Sequence, residues 1–183
     1  MTGGFINLNP YSTVDRLLKN LAFLREYWGF LLATALGTRL QVYRGMGIYN
    51  LLVKDGLYNG VFDDENYKFV TPSMDKFAKY IKKFSRKIIA NYLHKTGDAH
   101  QYQHIIMNLR RRIHEPLVNE KIDFLEQVVK ISIKEINDMV AVWYTKLVNI
   151  IDNWNSEYAE QITNEYFDYD LLIKGLSIFN KYY

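Results

Sequence analysis

The run 129-VKISIKEINDMVAVWYTKLVNIIDNW-154 decides how the rest of the chain is read. Taking Val129, Ile133, Ile136, Val140, Trp143, Leu147, Ile150 and Trp154 in order, the steps alternate four and three residues. That is the seam of a helix buried along one side over more than three heptads. Ile122 extends the seam upstream, and Asn119 is placed to cap a helix over about residues 119–154. A second apolar row, Phe124, Val128, Ile131, Met139 and Val142, widens the stripe. A stripe that wide predicts a bundle helix, since a two-stranded coil uses a narrower one.

Working outward, the same period recurs on both sides. Downstream, Ser156 caps a last helix with Tyr158, Ile162, Tyr166, Tyr169, Ile173 and Leu176 facing inward. Upstream, Asp98 caps a helix that runs to His114, just before Pro116. Thr71-Pro72 opens another, because proline suits the first helical position. Its core face is Phe77, Tyr80, Ile81, Phe84, Ile88 and Tyr92, and Gly97 ends it. Nearer the N-terminus, Ser12 or Thr13 caps a helix over about 13–35, with Leu17, Leu21, Leu24, Trp28, Leu31 and Leu32 as its stripe and Gly37 as its stop. Thr38 caps a second, to Lys54, closed by Asp55-Gly56. No sustained period-two alternation is present. The expectation is an all-α chain: an N-terminal helical hairpin arm over 1–60, a loop over 61–71, and a four-helix bundle over 72–183.

The 183 residues are 49% hydrophobic, enough for a core, and contain no cysteine. That excludes disulfides, thiolate zinc sites and a cysteine nucleophile. The N-terminus MTGGFINLNP lacks the basic and apolar regions of a secretion signal. The charge-free run Tyr27–Thr38 is twelve residues, short of the ~20 that a spanning helix needs. Charge is unevenly distributed. Residues 1–116 hold 17 Lys and Arg against 9 Asp and Glu, a net of +8, and residues 117–183 hold 6 against 11, a net of −5. The first part therefore carries the field that an anionic partner would meet.

Catalytic patterns are missing. His100 and His104 share a helix face at i, i+4, but no glutamate lies between them and no third ligand is apparent. Glu-x-x-His, phosphate-loop, G-x-S-x-G and dinucleotide fingerprints do not occur. Asp63-Asp64-Glu65 reads as a solvated turn. The chain is expected to be a non-enzyme with no cofactor and no metal site.

Two cationic groups remain. Lys76, Lys79, Lys83, Arg86 and Lys87 lie opposite the core face of the helix that starts at Pro72, with Lys82 nearby. Arg110, Arg111 and Arg112 end the next helix, where cations also complement the dipole. In the second arm helix, Arg39, Tyr43, Gly47, Asn50 and Lys54 fall on one face at i, i+4, i+8, i+11 and i+15. Gly45 and Gly47 inside that helix would each cost about 1 kcal/mol against alanine. A phosphate backbone approaching the bare glycine, a bend, or simply a solvated face of a poor helix would each account for them. Nothing is spaced like a recognition helix for base edges, so binding without sequence preference is expected.

The segment Leu31-Leu32-Ala33-Thr34-Ala35-Leu36-Gly37, then Arg39, Tyr43, Arg44, Gly45 and Gly47, followed by a bundle, resembles the major capsid proteins of filamentous and rod-shaped archaeal viruses, the lipothrixviruses and rudiviruses. The resemblance implies linear double-stranded DNA held in A-form and wrapped by the N-terminal helices of two paired chains, identical or paralogous. It also implies many copies in a helical virion, in some members with a lipid envelope, and assembly in the host cytoplasm. On that pattern Arg16, Lys19, Arg25, Arg39, Arg44 and Lys54 would line the DNA channel, and Lys76, Lys79, Lys83, Arg86 and Lys87 would extend it. The arm departs from the pattern in holding only six cations in its first sixty residues. The alternative is a helical RNA-binding subunit of an RNA-guided defence complex, which would use the same basic stripe. A membrane-surface adaptor using the first helix is a third reading.

Overall fold

The computed structural model describes residues 5–27, 32–58, 60, 67–85, 106, 108 and 116–167. The chain is mostly helical, and no strand occurs among the described residues. The helices are α1 (Val14–Tyr27), α2 (Ala33–Leu36), α3 (Gly47–Lys54), α4 (72–85), α5 (Pro116–Asn149) and α6 (Ser156–Phe167). A short 3-10 turn, Ile151–Asn153, joins the last two.

α5 follows the heptad seam. Ile122, Ile133, Val140, Trp143 and Leu147 are buried, and Ile136 and Ile150 are half-buried. Pro116 is its first residue, as suits a proline that has no N–H to lose there, so the helix starts before Asn119. The wider stripe did not follow. Phe124, Ile131 and Val142 point to solvent, and only Met139 of the described second row is half-buried. On α6 the buried face is Ala159, Ile162 and Thr163, which leaves Tyr158 outside, contrary to its expected inward placement.

α4, α5 and α6 meet in a cluster of rings. Phe84 lies 4.9 Å from Trp143 and 5.2 Å from Phe167, and Trp154 takes the edges of Phe77 and Tyr80 at 5.7 and 5.4 Å. Edge-to-face pairs of this kind add about 0.5–1.5 kcal/mol each beyond burial. Thr163 supplies the polar centre. Its Oγ1 accepts from Trp143 Nε1 at 3.0 Å and bonds the Tyr80 hydroxyl at 2.6 Å. Of the expected helix over 98–114 only Ile106, helical and buried, and Asn108, also helical, are described, so the bundle helices described at length are α4, α5 and α6.

The N-terminal hairpin is corrected. Thr13 caps α1 through its side chain, receiving the Arg16 N–H at 3.3 Å. Leu17, Leu21 and Leu24 are buried as the stripe predicted. α1 is described as far as Tyr27, and residues 38–46 are not helical. Local polar bonds outcompete the helix there. The carbonyls of Phe5 and Ala35 both lie within hydrogen-bond reach of the Thr38 hydroxyl and share its one proton, while the Leu8 N–H donates to the Thr38 carbonyl at 2.9 Å and the Leu40 N–H to the Leu8 carbonyl at 2.8 Å. Tyr43 to Met46 then forms a tight turn with Gly45 at φ +92°, the glycine conformation of a type II turn. Gly47 is the first residue of α3. Neither glycine sits inside a helix, so the helix penalty expected at them does not arise.

Nor does the N-terminal segment stand clear of the rest. Leu8, Leu17, Leu24, Leu36, Val42 and Leu52 belong to the same buried cluster as Phe77, Ile81, Val140, Trp143 and Tyr144. α1 packs along α5. Asn7 is fully buried and donates to the Leu36 carbonyl and the Tyr144 hydroxyl, both at 2.8 Å, while Asn20 donates to Asn7 Oδ1 at 3.1 Å. Gly37 brings its backbone against α4, where a Cβ would meet Ser85 Oγ at 3.1 Å.

Candidate nucleic-acid interface

α4 carries the best-formed basic surface. Met74, Phe77, Ala78 and Ile81 fix its inner face in the core. That leaves Lys76, Lys79 and Lys83, at i, i+3 and i+7, exposed on the outer one, with Lys82 half-buried beside them. Two turns of helix set the three ammonium groups along roughly 10 Å. Arg86, Lys87 and Arg111 lie outside the described residues.

The five-residue face projected through the second arm helix is broken. Gly47, Asn50 and Lys54 keep their i, i+3, i+7 relation on α3, and all three are exposed. Arg39 and Tyr43 precede α3 and do not share that face. Tyr43 is exposed and hydrogen-bonds the Gln41 side chain. Arg44 is exposed in the turn before α3. Among the described residues nothing lies within 4 Å of where a Gly47 Cβ would be, so they do not require close approach at Gly47.

Arg39 is occupied internally. Its guanidinium lies 4.7 Å from the Tyr67 ring and 4.9 Å from the Phe69 ring and donates to the Tyr67 carbonyl at 3.2 Å. Its Nε finds no partner among the described residues. Burial pushes the Tyr67 hydroxyl pKa up, with the Arg39 charge opposing. This is a packing role, not a phosphate contact: stacking on two rings replaces the water that a solvent-facing arginine would keep.

The other arm cations differ in availability. Arg16 is exposed on α1. Lys19 pairs with Asp15 at 2.8 Å across one helical turn, and Arg25 pairs with Asp138 of α5 at 2.8 Å. Both pairs are open to solvent, and pairs of that kind contribute at most about 1 kcal/mol, so a phosphate competes for the cation at little cost. Lys68 is a further exposed cation that the sequence reading left out. Residues 67–70 alternate buried and exposed, a short period-two pattern that would have marked it.

No group of three or more histidine and carboxylate side chains able to hold a metal occurs among the described residues. His94, His100, His104 and His114 lie outside them. No described helix is long and apolar enough to cross a membrane. The rest of the chemistry here is cationic and aromatic. No protein-family model, curated protein or solved structure matches this chain.

Proposed function

We propose that this chain is a non-catalytic structural subunit that coats linear double-stranded DNA without reading its sequence and assembles with further copies into a filament. The observation that carries this is the lysine row of α4, three exposed cations on a helix whose other face is locked in the core. A row so anchored presents charge to a phosphate backbone without a folding cost at the moment of binding. Arg16, Arg44, Asn50 and Lys54 would add contacts, and Lys19 and Arg25 would exchange their carboxylates for phosphates. Arg39 takes no part. The sequence's resemblance to archaeal filamentous-virus capsid proteins supports duplex DNA, A-form in that family, as the polyanion. It also supports a second chain, identical or paralogous, as the nearest partner, within a virion that in some members is enveloped.

The test is the salt dependence of duplex binding. With about six phosphates neutralised, log K falls against log salt with a slope near −5. Replacing Lys76, Lys79 and Lys83 together by glutamine should flatten the slope by about 2.7 and leave the unfolding midpoint unchanged. An unchanged slope, or tighter binding to single-stranded RNA than to duplex DNA at one salt concentration, would count against the assignment. Electron microscopy of the protein with linear duplex DNA should show filaments.

A further inference from the structure

α1 has a second face that the core does not use. Flanking the buried stripe of Leu17, Leu21 and Leu24, roughly a third of a turn round the helix, the residues Arg16, Phe23 and Tyr27 fall at i, i+7 and i+11, close to one line along the helix. Phe23 is 50% and Tyr27 66% exposed. Exposure of this kind is unfavourable for two rings, yet they are ordered against each other. Phe5 stacks on Phe23 with centroids 5.8 Å apart and planes at 18°. Tyr27 follows at 5.0 Å and 38°. The neighbouring Glu26 carboxylate, as a hydrogen-bond acceptor, raises the Tyr27 hydroxyl pKa, with desolvation adding to it. The result is a short row of rings on the surface, with Tyr27 its most exposed member.

Cations continue the same face. Arg16 lies eleven residues from Tyr27, about 16 Å along the helix, which is room for about four bases at the 3.4 Å stacking rise. Lys19 stands beside that line and is held only by its solvent-exposed contact with Asp15. The acids close by are Asp15, Glu26 and Asp138, and Arg25 is tied to the last of them. An aligned aromatic row with cations at one end is what an unpaired strand uses: every base has a π face, and the backbone needs only charge.

We propose that this face of α1 binds a single nucleic-acid strand, its bases stacking onto the Phe5–Phe23–Tyr27 row and its backbone running toward Lys19 and Arg16. The site shares Arg16 and Lys19 with the proposed duplex contacts but takes nothing from the lysine row of α4, and it stands whether or not that row meets a duplex. A lipid surface is the weaker fit, because the exposed group is mainly rings lying in a row, with Ile6 the one large exposed aliphatic residue among the described residues near them.

The experiment measures fluorescence anisotropy of a labelled short oligothymidylate and of a labelled duplex with the full chain. The proteins are wild type, Tyr27→Ala, Tyr27→Phe and Phe23→Ala, each checked for folding by circular dichroism. Loss of one stacked base corresponds to roughly 5- to 150-fold. Tyr27→Ala and Phe23→Ala should weaken single-strand binding by at least about fivefold, Tyr27→Phe should restore it, and duplex binding should move less than about twofold. Single-strand affinity unchanged in Tyr27→Ala, or lost in step with duplex affinity, overturns the proposal. So does single-strand binding that is absent in the wild type, or sedimentation with phosphatidylserine vesicles that Tyr27→Ala abolishes while oligothymidylate affinity stays put. The glutamine triple variant of α4, which should lose duplex and keep single-strand affinity, tells failure of this site from failure of the duplex site.

Discussion

Thr163 shows how much one hydroxyl decides in the ring cluster. Its Oγ1 is the only acceptor that the described residues offer the buried Trp143 N–H, and it also bonds Tyr80. Thr163→Val keeps the shape and removes the acceptor, so it should cost about 1–3 kcal/mol in urea unfolding, while Thr163→Ser should lose only about 1 kcal/mol. Tyrosines give the chain a pH signature. Tyr11 is pushed up to about 12 by desolvation, then by its hydrogen bond to Asp55 and by the charge of that carboxylate. Tyr144 is raised further by burial, with the Asn7 hydrogen bond opposing. Tyr67 and Tyr80 are raised in the same direction. A hydroxyl whose folded pKa lies above its unfolded value of 10 binds more protons in the native state once the pH passes 10. Stability is therefore fully present below pH 10 and is lost as the pH climbs through about 12 and beyond. Urea midpoints at pH 8 and pH 11 should fall in the wild type and fall less in Tyr11→Phe.

Among the elements, the two glycine-bearing segments make a matched comparison. At Gly37 a side chain would press on Ser85, whereas at Gly47 none of the described residues lies within 4 Å. Gly37→Val should cost about 1–3 kcal/mol by overpacking against α4. Gly47→Ala, at an exposed helix start with ordinary backbone angles, should be neutral or gain up to about 1 kcal/mol. Thermal unfolding of the two variants would show the contrast. Within the chain the close approach falls at Gly37, which the sequence reading took only as a helix stop, and the reason is physical. Tyr43–Arg44–Gly45–Met46 contains a helix-like spacing of polar residues, but Thr38 and Leu8 fix the preceding backbone in an extended path through contacts thirty residues apart, which no local period reports. Where burial and period agree, the reading succeeded: the described residues of the α5 seam, the α4 inner face and Leu17, Leu21 and Leu24 of α1 lie where 3.6-residue spacing puts them. It overreached where apolar residues were abundant. Phe124, Ile131 and Val142 satisfy the pattern on α5 but stay exposed. Of the candidate contact residues, the α4 lysines were legible because a charged face opposite an apolar one is a one-helix property. Arg39 was not, because its stacking partners Tyr67 and Phe69 come from a different segment.

At the level of the whole molecule, the N-terminal segment is part of the core that it was expected to project from. Deleting residues 1–12 removes Leu8, whose burial alone contributes about 1.5–3 kcal/mol, and leaves the Tyr144 hydroxyl without Asn7. Against a typical total stability of about 5–15 kcal/mol, the truncated chain should melt well below the full one. A fragment of residues 72–183 should go further and unfold without a cooperative transition, since α5 loses the leucines of α1 along its length. Circular dichroism melts of both would check this, and a sharp transition in the fragment would show that the C-terminal helices form a domain alone.

Asn7 and Tyr144 are joined across 137 residues of sequence. During synthesis the first dozen residues leave the ribosome long before their partner exists. At about 5–20 residues per second the interval is roughly 7–27 s. Throughout it Leu8 and the leucines of α1 have no α5 to cover them, so the nascent chain exposes an apolar stripe of the kind that chaperones hold, and its final structure closes only after most of it has been made.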